Sequence, residues 1–169
     1  MNAYPKRWEA LAKGVSVEHA VRSLATRLTA RLSAERGVRC LAYLPILDID
    51  RTDLVLRLTS PTMGWTMYID VSVRSSCHAR MVVGSEQDYS ALRQFLTGTP
   101  ALIFFYDWTT DRLSFFLPNE IRRLTGGYLK KSFAIPPPAE NEETTENRLF
   151  SLLSSLVDMT LPQVRGVLA

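Results

Sequence analysis

Two alternating runs joined by a short turn, between Ile46 and Ser76, constrain this chain more than any other feature. The stretch reads I-L-D-I-D-R-T-D-L-V-L-R-L-T-S-P-T-M-G-W-T-M-Y-I-D-V-S-V-R-S-S. In the first run Leu54, Leu56 and Leu58 alternate with Asp53, Val55 and Arg57. In the second, Ile69, Val71 and Val73 alternate with Asp70, Ser72 and Arg74. Strand side chains switch faces with period two, so each run predicts a strand with one apolar and one charge-bearing face. Ser60-Pro61-Thr62-Met63-Gly64 supplies the turn. Pairing the strands with their apolar faces together places Asp53 and the row Asp70, Ser72, Arg74 on one surface.

The hairpin is embedded in helical and strand signals. Val17, Val21, Leu24, Leu28 and Leu32 recur at spacings of three and four, which predicts an amphipathic helix capped at Ser16 and ended by Gly37. Residues 1–15 read as mixed and partly helical, with Trp8 and Leu11 free to pack on the body. A short strand is expected over 38–45. A second helix is expected over 85–96, capped by Ser85, with Glu86 and Asp88 in its first turn and Tyr89, Leu92, Phe95 and Leu96 as its stripe. Ala101 to Tyr106 is apolar at every position and predicts a strand covered on both faces. Arg112 to Leu117 returns beside it, and Asn119 caps a short helix, Glu120 to Leu124.

Beyond this the chain changes character. Residues 132–147 are rich in proline and glutamate and read as a stiff linker. Leu149, Phe150, Leu152, Leu153, Leu156 and Val157 form the stripe of a last helix that ends before Pro162. Three units are expected: an α/β domain over 1–131, the linker over 132–147, and a C-terminal helical segment over 148–169. The apolar face of 148–160 needs a partner, either the same domain or another protein.

Charge is unevenly shared. The chain carries +3 overall, with −3 on residues 139–169 and hence +6 on 1–138. A basic body suits contact with a polyanion. No apolar run reaches the ~20 residues that cross a bilayer, and the N-terminus lacks an apolar leader, so the expected location is cytoplasmic, without a membrane partner. Cys40, Cys77, His19 and His78 lack zinc-ligand spacing, and Gly126-Gly127 before Lys130-Lys131 is not a Walker loop. Arg122, Arg123, Lys130 and Lys131, with Tyr128 among them, are the densest basic cluster and a candidate for phosphate contact.

The predicted order is helix, three strands, helix, two strands, short helix. A right-handed crossover through 85–96 returns 101–106 parallel to the second hairpin strand, giving a mixed sheet flanked by helices. This order, with I-D-R-T-D-L-V-L before the turn and Y-I-D-V-S-V-R-S-S after it, resembles the PD-(D/E)XK phosphodiesterases of restriction-endonuclease-like fold. Those enzymes open one strand with an acidic residue and carry (E/D/Q)-x-K on the next. A-L-I-F-F-Y-D and L-S-F-F-L-P-N-E-I further along are similar to segments of prokaryotic members, and the likeness spans roughly residues 16–124.

The resemblance implies that Asp53 is the first metal-binding aspartate and that Glu18 is the acidic residue of the first helix. The second motif departs from the pattern. Ser72 stands where the acid or glutamine belongs and Arg74 where the lysine belongs. A hard divalent cation wants oxygen ligands, and a serine hydroxyl substitutes poorly for a carboxylate. Arginine does not exchange a proton near neutral pH but clamps phosphate in two-pronged fashion. The expectation is therefore a degenerate, non-catalytic nuclease-fold module that binds nucleic acid or a partner protein within a prokaryotic nucleic-acid-processing or defence assembly, with Arg74, Arg122, Arg123, Lys130 and Lys131 as contacts. The alternative is an active nuclease holding Mg²⁺ or Mn²⁺ on Asp53 and Asp70, with Glu18 completing the shell and Arg74 on phosphate. A third reading is a structural adaptor docking through its last helix.

Overall fold

The first helix is longer than its apolar stripe. In the computed structural model, which describes residues 4–44, 53–76, 80–82, 100–107, 112–124, 132–134 and 142–169, α1 runs unbroken over Tyr4–Arg36. Ser16 lies inside this helix, so the helix does not begin there. Pro5 sits in the first turn, where a missing N–H is harmless, and E-A-L-A-K over 9–13 favours continuation. The side chains of Trp8 and Leu11 lie outside the described residues. Val17, Val21, Leu24, Leu28 and Leu32 form the buried stripe as expected. The helix ends at Gly37, whose φ of 62° is a left-handed conformation that glycine adopts without steric cost. The Gly37 and Val38 N–H groups donate to the carbonyls of Ser33 and Leu32.

The hairpin forms as its alternation predicts. β1 (Arg39–Tyr43), β2 (Leu54–Ser60) and β3 (Trp65–Ser76) make an antiparallel meander. The register pairs Leu54 with Val71, Leu56 with Ile69 and Leu58 with Met67, so the apolar faces coincide. Gly64 closes the turn with φ 69° and an N–H bond to the Ser60 carbonyl. β5 (Ala101–Asp107) lies parallel to β3, and β6 (Arg112–Phe116) antiparallel to β5, giving a mixed sheet of order β1-β2-β3-β5-β6. β5 is buried at every position except Tyr106, as its continuous apolar run requires. Residues 83–99, where the helix over 85–96 is expected, lie outside the described residues.

Several boundaries differ from the sequence reading. The short helix α2 spans Pro118–Leu124, and Asn119 is inside it. The helix start is organised by Leu117, whose N–H donates to the Glu120 carboxylate at 2.7 Å, with Pro118 at the first helical position. The linker over 132–147 is interrupted at both ends. Ser132–Ala134 (β7) pairs with Arg80–Val82 (β4), and α3 begins at Glu142. Glu142 and Glu143 stand in its first turn, where the helix dipole favours negative charge. Pro162 opens a helix instead of closing one. α3 ends at Leu156, and α4 (Leu161–Leu168) starts with Pro162 in its first turn and the Thr160 N–H bonded to the Gln163 side chain.

The C-terminal segment docks on its own domain. Leu149, Leu153 and Leu156 of α3, with Val157, Val164 and Leu168, join one cluster with the α1 stripe and with Leu54, Leu56, Leu58, Ile69 and Val71 of the sheet. Full burial of each leucine contributes about 1.5–3 kcal/mol. Polar bonds fix the docking angle. The Ser60 hydroxyl donates to the Val157 carbonyl at 2.5 Å, the Trp65 indole to the Met159 carbonyl at 2.8 Å, and the buried Thr145 hydroxyl to the Leu113 carbonyl at 2.7 Å. Helices therefore cover the apolar face of the sheet, and the charge-bearing face lies on the other side. No helix of the described residues is long and apolar enough to cross a membrane.

Candidate functional site

The register converts the sequence alternation into a grid on the charge-bearing face. Across β1, β2 and β3, Arg39, Thr59 and Thr66 form one row, and Leu41, Arg57 and Tyr68 the next. Tyr43, Val55 and Asp70 follow, with Ala101 of β5 extending that row. Asp53 comes one residue before Leu54, so it falls beside Ser72, which is itself paired with Ile103. Arg74 and Phe105 make the row after. The 3.2 Å approach of the Thr59 and Thr66 hydroxyls confirms that cross-strand neighbours on this face meet.

Asp53 has a backbone task of its own. β2 pairing begins at Leu54, so the β3 backbone beyond Val71 has lost its regular partner on that side. The Asp53 N–H donates to the Val71 carbonyl at 2.9 Å, and its Oδ2 accepts the Val73 N–H at 2.6 Å. The carboxylate thus extends the ladder by one rung and is held in a single orientation. Asp70 is its diagonal neighbour across the strand pair. Diagonal pairs lie about 7–8 Å apart at Cα, within reach of one shared ion for two side chains that lean together. Between them sits Ser72, wholly buried, with a hydroxyl that has no hydrogen-bond partner among the described residues. Arg74, half-buried, donates from one terminal nitrogen to the Val73 carbonyl at 3.2 Å.

The remaining predicted residues are placed elsewhere. Glu18 lies on α1, in the layer over the apolar face, and pairs with Arg22 at 3.3 Å. Among the described residues no group of three or more Asp, Glu, His or Cys side chains is arranged to hold an ion. Glu18 therefore does not complete a three-carboxylate shell with Asp53 and Asp70. Arg122 is turned inward, donating to the Asn119 side chain at 2.6 Å and to the Ala169 carbonyl oxygen, which ties α2 to α4. Arg123 is exposed. Lys130 and Lys131 lie outside the described residues.

The grid also assembles residues that the sequence reading did not single out. Tyr68 is 60% exposed and Tyr43 and Leu41 are each 41% exposed, all on the charge-bearing face. Arg57 stands between them, and hydrogen bonding with Tyr43 first, and the charge of the Tyr68 oxygen second, raise its guanidinium above its ordinary value. The one available signal was tyrosine at alternate, non-core positions of two strands, and it acquires meaning only with the β1–β2 register. No protein-family model, curated protein or solved structure matches the chain.

Proposed function

We propose that the chain is a nucleic-acid-binding module built on the restriction-endonuclease-like pattern, in which the metal-dependent chemistry of that pattern is lost. The observation that carries this reading is Ser72. It stands beside Asp53, on the strand and the face where the resemblance calls for a carboxylate or glutamine, and it offers a buried hydroxyl without a partner among the described residues. A hydroxyl supplies neither the charge nor the strong oxygen ligand that a divalent cation needs. Arg74, two residues on, suits a phosphate clamp and not proton transfer. The mixed sheet, with an aspartate opening β2 and helices on the opposite face, agrees with the same pattern.

One observation favours the second reading, an active nuclease. Asp53 and Asp70 are diagonal neighbours on one face, and carboxylates that lean together from such positions reach a single Mg²⁺ or Mn²⁺. Incubation with single- and double-stranded DNA and RNA plus Mg²⁺ or Mn²⁺ separates the two. Salt-sensitive binding without cleavage is expected. Cleavage lost in both Asp53→Asn and Asp70→Asn overturns the proposal in favour of the nuclease; asparagine at 53 keeps an acceptor for the Val73 N–H. Absence of any binding leaves the adaptor reading.

A further inference from the structure

The charge-bearing face does not stop at Asp53, Ser72 and Asp70. Toward the hairpin turn it continues as the rows Leu41–Arg57–Tyr68 and Arg39–Thr59–Thr66, with Tyr43 beside Val55. Tyrosines usually bury most of the ring and leave the hydroxyl wet, yet here Tyr68 is 60% exposed and Tyr43 41%. Two arginines, Arg39 and Arg57, share this half of the sheet. Of the face's carboxylates among the described residues, Asp70 shares the row of Tyr43 and Val55 and marks the edge of this half, and Asp53 and Asp107 lie beyond it toward the other end. Arg57 lies between the two rings, in the row of Tyr68 and diagonal to Tyr43 across the β1–β2 pair.

We propose that the β1–β2–β3 half of this face binds a single-stranded nucleic acid, with bases lying on Tyr68 and Tyr43 and backbone phosphates against Arg57 and Arg39. The proposal rests on the nucleic-acid-binding reading above and adds the kind of nucleic acid and the place where it lies. Exposed rings on a flat sheet are reached by unpaired bases, whose faces are free, whereas a duplex hides those faces in its stack. Tyr43 and Tyr68 are separated by two inter-strand steps and two residues along the strand, which is about 12 Å. They therefore serve two different bases and do not sandwich one. Thr59, Thr66 and Leu41 fill the floor with small polar and apolar contacts that carry no sequence code, so the expected binding is tolerant of sequence. A protein partner would be expected to meet paired arginines with carboxylates and to bury the tyrosines by shape; a polyanion with free ring faces satisfies both features at once.

The test is fluorescence anisotropy with labelled oligothymidylate, oligouridylate and a DNA duplex of equal length, over roughly 50–200 mM salt. Single strands should bind more tightly than the duplex. Tyr68→Ala and Tyr43→Ala should each weaken single-strand binding about 10- to 100-fold, the range set by loss of one base–ring stack. Tyr68→Phe should bind as wild type, since the ring remains. Arg57→Ala should lower the slope of log affinity against log salt by about one. Circular dichroism of each variant confirms folding, which exposed tyrosines should leave unchanged. Equal affinity for duplex and single strand overturns the proposal. So does unchanged binding in both tyrosine variants alongside loss in Arg74→Ala or Arg123→Ala, an outcome that keeps nucleic-acid binding but moves it elsewhere. Self-association in sedimentation, abolished by Tyr68→Ala, would assign the face to a protein contact instead. No binding by the wild type removes both readings together.

Discussion

Two buried serines on paired strands should respond to alanine in opposite directions. Ser60 and Ser72 are both 0% exposed. The Ser60 hydroxyl donates to the Val157 carbonyl at 2.5 Å and accepts the Met63 N–H at 3.1 Å. The Ser72 hydroxyl has no partner among the described residues. Removing Ser60 strips a bond from a buried carbonyl and from a turn N–H, which costs about 1–3 kcal/mol. Removing the Ser72 hydroxyl takes away a desolvated group that gains nothing in return. Its loss should stabilise by about 1 kcal/mol, after a few tenths for the small void. For a domain of this size 1 kcal/mol is about 2–4 °C in Tm. Urea denaturation of Ser60→Ala and Ser72→Ala, with unchanged m-values, reads both shifts. A Ser72→Ala variant less stable than wild type by 1 kcal/mol or more would refute the reasoning, because the hydroxyl must then be bonded. A stabilised Ser72→Ala that loses nucleic-acid affinity would mark the hydroxyl as a group kept for binding at a cost in stability.

Three further perturbations test the frame around the site. Leu153→Ala empties a fully buried position in the cluster shared by α3, α1 and the sheet, and should cost about 2–5 kcal/mol in a single cooperative urea transition; a separate early transition would show that the C-terminal helices fold apart from the sheet. Gly37→Ala places a Cβ at φ 62° with no neighbour within 4 Å, so the cost is backbone strain alone, about 1–2 kcal/mol, and Gly37→Asn should cost less. Burial pushes the Cys40 thiol up to about 11 from its ordinary 9.0. As pH rises through that window the unfolded thiol ionises first while the folded one keeps its proton. The stabilisation, on the order of 2–3 kcal/mol, is therefore complete below pH ~9 and gone above ~11. Cys40→Ala should flatten this part of the stability–pH curve. In a Cys77→Ser background, Cys40 should react with a thiol reagent only on unfolding.

The hairpin and the parallel return of β5 could be read from the chain because their signals are periodic and local. Strict alternation sets the faces of β2 and β3, and an unbroken apolar run places β5 in the middle. Two of the boundaries that differ, at Ser16 and Pro162, turn on a residue with two opposite meanings that only its neighbours decide. Ser16 has a capping side chain, but the helix formers before it carry α1 through. Pro162 stops helices and also starts them, and the Thr160–Gln163 bond decides for a start. The site was half readable. Asp53, Asp70, Ser72 and Arg74 were placed on one face by period alone. The tie from Asp53 to the Val73 N–H depends on where β2 begins, which alternation does not specify. Tyr43, Arg57 and Tyr68 come from three strands, and only the pairing register brings them together.

The register also decides where a polyanion can approach. The excess of positive charge in the first 138 residues pointed to a basic surface, and α1, with Arg22, Arg27, Arg31 and Arg36, is the obvious place for it. Those arginines are already engaged. Arg22 pairs with Glu18, Arg27 with Glu146 at 3.0 Å, and Arg36 with Asp158 at 2.6 Å. Arg31 bonds Glu35 and Asn147 and lies 3.9 Å over the Phe150 ring. The acidic C-terminal segment folds back on the basic helix, and its charge aligns α3 on α1. Exposed pairs of this kind contribute little to stability individually, typically below ~1 kcal/mol, but they leave α1 poorly suited to hold phosphates. Arg122 is likewise engaged within the fold. Exposed arginines remain on the helices as well, Arg123 on α2 and Arg165 on α4, while on the opposite surface Arg39 and Arg57 lie among exposed tyrosines. The ion pairs of α1 therefore help hold the C-terminal helices to it, and on the sheet face the exposed rings of Tyr43 and Tyr68, not the net charge of the chain, favour the proposed single strand.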